Sequence, residues 1–102
     1  MTSETGRTGL EQARGARAVT PEIEAEYAAA RLRFELGEAV RRRRLDLGLS
    51  QAELGRRCAM TQSAVARFEG GGTIPTIPVL DRLARALDLD LRVEFTPHSD
   101  TA

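Results

Sequence analysis

The chain is 102 residues long, 41% hydrophobic and 29% charged, the size and balance of one small globular domain. Its 15 basic residues are all Arg and balance 15 acidic ones, which excludes an indiscriminate polycation but leaves room for a local nucleic-acid face. One cysteine, Cys58, excludes an internal disulfide and a multi-cysteine zinc site, and one histidine, His98, in a polar stretch argues against histidine catalysis.

In chain order, residues 1–19 read as a flexible tail, with three glycines and only Leu10 and Val19 as large apolar residues. Thr20-Pro21-Glu22 then carries the signals of a helix start: a hydroxyl cap, Pro at the first helical position and an acid in the first turn. A helical extension is expected over residues 20–34, with Ile23, Tyr27, Ala30 and Phe34 on one apolar face. Gly37 marks either a break or a close contact, and a second helix resumes through Leu36, Val40 and Leu47. Gly48 ends it. Ser50 with Glu53 forms a capping box for a helix over residues 51–58, in which Leu54 and Cys58 face inward. At that inward position Cys58 reads as a small core side chain rather than a reactive thiol. Thr61 caps the next helix, residues 62–69, with Val65 and Phe68 inward, and a run of three glycines stops it. Thr76 opens another, with Ile77, Leu80, Leu83, Ala84 and Leu87 as its stripe. Residues 89–96 change to a period of two, which reads as a short strand, and residues 97–102 as a tail. A lone strand needs a partner, and the same strand of a second copy, through Leu91, Val93 and Phe95, is the simplest one. A plain edge addition to the domain is the alternative.

Residues 50–69, SQAELGRRCAMTQSAVARFE, hold two short helices around a tight turn, a helix-turn-helix pattern. The second helix of such a pair enters a DNA major groove. Thr61, Gln62, Ser63 and Arg67 fall on its outer face. Gln can pair with adenine and Arg with guanine, each through two bonds, while Ser and Thr reach bases or phosphate. Gln51, opening the first helix, is placed for a phosphate. Residues 35–70 carry a net charge of +2 and residues 76–100 one of −2, which suits a domain facing DNA on one side. The arginine run at residues 41–44 reads either as a phosphate grip or as a solvated face with one structural ion pair.

The stretch RRLDLGLSQAELGRRCAMTQSAVARFEGG resembles the XRE family of lambda- and 434-repressor-like DNA-binding domains, with Gln51 and Gln62 eleven residues apart as in the family. The resemblance covers residues 36–88 and implies an all-α bundle; with the flanks, about five helices and a C-terminal strand are expected around a domain at 35–88. It also implies an ion pair between Arg44 and Glu69. Ala59 departs from the family, which carries Gly in that turn; a left-handed backbone there would cost Ala about 1 kcal/mol. The flanks resemble HigA-like antitoxins of type II toxin–antitoxin systems. That likeness implies a homodimer on a pseudo-palindromic double-stranded operator, autoregulation of its operon, and neutralisation of a RelE/HigB-like ribonuclease toxin. The N-terminal helix then either packs on the bundle or embraces that toxin. A stand-alone regulator, or an interaction module that no longer binds DNA, are the alternatives.

An enzyme is not expected, because no nucleophile–base pair, carboxylate constellation or phosphate loop can be read. No catalytic residue, metal ligand or cofactor is therefore assigned. No run approaches the roughly 20 apolar residues of a membrane helix, and no apolar signal segment is present. The expected location is the bacterial cytoplasm, at the nucleoid when DNA is bound.

Overall fold

The structure, a computed structural model, describes residues 19–98. Most of the expected N-terminal tail, and residues 99–102 of the C-terminal one, lie outside the described residues. The described residues divide into two compact units, parted between residues 32 and 33.

In the first unit, helix α1 (Pro21–Asp46) begins. The Thr20 hydroxyl accepts a hydrogen bond from the Ile23 N–H at 3.1 Å, and Glu22 and Glu24 add negative charge to the first turn. Ile23, Tyr27 and Ala30 are half-buried at spacings of four and three, one stripe of the helix.

The second unit holds the rest of α1, then α2 (Gln51–Cys58), α3 (Gln62–Glu69) and α4 (Ile77–Ala86). Both middle helices are set locally. Ser50 accepts from the Glu53 N–H while the Glu53 carboxylate accepts from the Ser50 N–H, closing a capping box. Thr61 accepts from the Ala64 N–H at 3.0 Å. The helices meet over Leu54, Cys58, Val65, Phe68, Leu83 and Leu87, all buried, with Leu36, Val40, Leu47 and Val79 packed around them. Burying each Leu, Val or Phe contributes about 1.5–3 kcal/mol, which holds two eight-residue helices that would be marginal alone.

Three expectations are corrected. Gly37 does not break the helix: α1 runs through it, so the described residues hold four helices rather than five. Gly37 is a close contact instead. A Cβ there would lie 2.5 Å from the carbonyl oxygens of both Phe68 and Glu69, so its absence lets α1 lie against the end of α3. Residues 89–96 form no strand; among the described residues, no backbone hydrogen bond ties residues 90–98 to another segment. Among the described residues there is no second strand to pair with them. Of the three expected strand residues, Leu91 is half-buried, while Val93 and Phe95 are exposed. Ile77 is also exposed, and Val79 takes its place against the core. Among the described residues no helix is long and apolar enough to cross a membrane.

Candidate nucleic-acid interface

Helix α3 is two-sided. Val65, Phe68 and Glu69 are buried, whereas Gln62, Ser63 and Arg67 are exposed. Ser63 and Arg67 are four residues apart and share a face. Thr61 sits just before them as the cap, its oxygen engaged by the Ala64 N–H. The turn feeding α3 is tight. Ala59 adopts a left-handed backbone, φ 61° and ψ 43°, and the Met60 N–H donates to the Gly55 carbonyl at 2.8 Å. Gly55 is buried where a Cβ would lie 2.4 Å from the Met60 carbonyl oxygen, so the turn can close only over glycine.

Gln51 and Gln62 are brought together. The Gln62 amide donates to Gln51 Oε1 at 2.6 Å, and the Gln51 amide donates to Glu69 Oε1 at 3.1 Å. Glu69 in turn accepts two bonds from Arg44: Nε to Oε2 at 2.6 Å and Nη2 to Oε1 at 3.0 Å. Arg44 spends a third donor on the Leu49 carbonyl at 2.8 Å. Both ions are only 8% exposed, and this two-pronged geometry offsets the desolvation of burying them. The hydrogen bonds that Arg44 donates to Glu69 raise its pKa above the ordinary value, so the guanidinium stays charged. A continuous polar chain therefore runs from the buried pair to the exposed glutamine at the start of α3. Sequence reasoning named all four members but missed that Gln51 shares the Glu69 carboxylate.

The four arginines at residues 41–44 diverge. Arg41 and Arg42 are exposed and pair with Glu38 at 3.9 and 3.2 Å. Arg43 donates to the Leu87 carbonyl at 2.9 Å, at the end of α4, and Arg44 is buried. Arg67, by contrast, is exposed and has no ion pair among the described residues. Its aliphatic stem runs beside Gly72, where an added Cβ would lie 3.2 Å from Cγ. Burial pushes the Cys58 thiol up from its ordinary pKa, which suits a packing role. Among the described residues, no cluster of His, Cys, Asp and Glu could hold a metal ion.

The family model described as "Helix-turn-helix domain" matches residues 35–95. Endothelial differentiation-related factor 1 of Rattus norvegicus is 34% identical over 62 residues, 61% of this chain and 42% of that protein. The Mus musculus protein of the same name matches to the same extent. The chain thus spans under half the length of these curated relatives. No solved structure matches it. The matched residues contain α2, α3 and α4 together with the polar chain between Arg44 and Gln62, and on that match the chain belongs to the helix-turn-helix domain family.

Proposed function

We propose that the chain is a sequence-specific transcriptional repressor that binds a pseudo-palindromic double-stranded operator as a homodimer. Each copy lays α3 in the major groove. Gln62 and Arg67 read base edges, while Gln51, Thr61 and Ser63 face phosphate or neighbouring bases. The observation that carries this reading is the Gln51–Gln62 bond, which joins the N-termini of α2 and α3 on an exposed face. With Gln51 accepting from it, Gln62 keeps its carbonyl oxygen and one amide hydrogen for an adenine. Two copies neutralise enough phosphates for firm binding, which one protomer with a near-neutral surface does not. The protein recognises rather than catalyses, uses no cofactor, and acts in the cytoplasm.

The test is binding to a duplex from upstream of the chain's own gene, beside a scrambled duplex at the same salt. A preference of ~10³ or more supports a self-repressing regulator. Replacing Gln62 or Arg67 by Ala weakens specific binding by roughly 1–3 kcal/mol and relaxes one operator position each. Equal binding of both variants to operator and scrambled DNA refutes the assignment of α3.

Within this reading, the operon is that of a toxin–antitoxin pair, and the protein partner is a RelE/HigB-like ribonuclease. Support comes from the helical extension ahead of the domain, where Leu32 is exposed. Co-purification with the toxin, and loss of its affinity on deletion of residues 1–33, test this role. The second reading is a stand-alone regulator without a toxin. It is favoured by the curated relatives, which are named as differentiation-related factors. A ribonuclease-like reading frame beside the gene separates the two.

A further inference from the structure

Residues 89–95 alternate Leu, Asp, Leu, Arg, Val, Glu, Phe, so an extended backbone puts every apolar side chain on one face. Phe95 is fully exposed and Val93 is 63% exposed. Arg92 and Glu94, two apart, meet at 3.2 Å on the other face. Among the described residues, no backbone group of residues 90–98 bonds to backbone elsewhere. Leu89 and Leu91 line an apolar cavity of about 130 Å³ together with Leu36, Val40, Leu80 and Leu83. The segment therefore has a core-facing side at one end and an open apolar side at the other.

The charges on the segment select its occupant. In an antiparallel pair of identical strands, each register has a centre, and residues equally far on either side of it face each other. A centre between two residues sets apolar side chains against charged ones. Centring on Arg92 puts Arg against Arg and Asp90 against Glu94; centring on Glu94 puts Glu against Glu. Centring on Leu91 pairs Asp90 with Arg92, but it also puts Asp88 against Glu94, draws in Leu87, which the core already buries, and needs an extended Asp88, whose φ is 58°. Centring on Val93 alone places Arg92 opposite Glu94 twice, Leu91 opposite Phe95 twice, and Val93 opposite itself. Opposite charges facing each other stabilise a strand pair, and like charges oppose it.

We infer that residues 89–96 pair antiparallel with the same segment of a second copy, with Val93 on the two-fold axis. The inference deepens the homodimer reading above and rests on it. Pairing covers Phe95 with the partner's Leu91 and joins the ribbon's apolar face to the cavity beside α1 and α4. That packing is needed, because a bare two-stranded ribbon is marginal in water.

The test uses Arg92→Glu and Glu94→Arg, two exposed positions outside the core. Mass is measured by sedimentation for the full-length parent, each variant, and their equimolar mixture, with circular dichroism to check the fold. The parent is expected to be a dimer. Each variant alone faces like charges twice and weakens self-association by on the order of tenfold. The mixture restores both Glu–Arg pairs in a heterodimer and recovers the parent's mass, an effect the Arg92–Glu94 contact within one chain cannot produce. A monomeric parent, or variants that dimerise like the parent with no gain on mixing, overturns the inference. The measurement contains no DNA, so a dimeric parent indifferent to both substitutions overturns this register alone and leaves the repressor reading to its own test.

Discussion

Ala59 occupies a backbone conformation that suits glycine, and replacing it by Gly stabilises the protein. Its φ of 61° and ψ of 43° lie in the left-handed well, where a Cβ crowds the following carbonyl. That crowding costs an L-residue roughly 1–2 kcal/mol. Glycine removes the strain but gains conformational freedom in the unfolded chain, which returns about 0.4–1 kcal/mol. Ala59 is exposed, so little buried surface is lost, and the Met60 bond to Gly55 is untouched. The net gain is roughly 0.5–1 kcal/mol, or about 2–8 °C in Tm for a domain of this size. Gly48→Ala is the mirror control. Gly48 has φ 71°, and an added Cβ there meets nothing within 4 Å, so only backbone strain is added and stability falls by a similar amount. Thermal and urea unfolding of both variants, with unchanged m-values, is the assay. A loss of stability in Ala59→Gly beside the expected loss in Gly48→Ala refutes the reasoning, because the turn would then depend on the alanine methyl.

Other substitutions probe the packing around the same helices. Glu69→Ala strands a buried guanidinium and lowers stability by roughly 3–5 kcal/mol; an unchanged Tm rules out that structural role. Gly37→Ala drives a methyl into two backbone carbonyls and destabilises by about 1–3 kcal/mol in urea unfolding, more than a surface Gly→Ala exchange in a helix, which stabilises. Acid unfolding reads the capping box. The backbone hydrogen bond from Ser50 holds the Glu53 carboxyl below its usual pKa, so its contribution is present above the ordinary carboxylate range and is lost as pH falls through the lowered value. Glu53→Gln flattens that part of the pH–stability curve, and an unaltered curve counts against the box.

What the sequence made legible was local. Ser50 and Thr61 bond to N–H groups three residues away, so the starts of α2 and α3 follow from a few neighbouring side chains. The left-handed backbone at Ala59 was legible only through the resemblance, whose turn carries Gly at that position. Gly37 was ambiguous because its role depends on Phe68 and Glu69, more than 30 positions away. The period of two after Leu87 is a true alternation but forms no strand here, since a strand needs a second one and none is present among the described residues. Ile77 and Val79 are both apolar and both in the first turn of α4; only the position of the other helices decides which is buried.

The chain of bonds from Arg44 through Glu69 and Gln51 to Gln62 bears on the entropy of recognition. A free surface glutamine samples many rotamers, and freezing a side chain of this kind on a ligand costs about 0.5–1.5 kcal/mol. Here Gln62 is steadied before any ligand arrives, and the loss of freedom belongs to folding. Gln51→Ala would release it while leaving its own chemistry intact. The calorimetric mark of that release is a less favourable binding entropy, over and above the enthalpy lost with the contact of Gln51 itself, a thermodynamic trace of a buried ion pair at a surface it never touches.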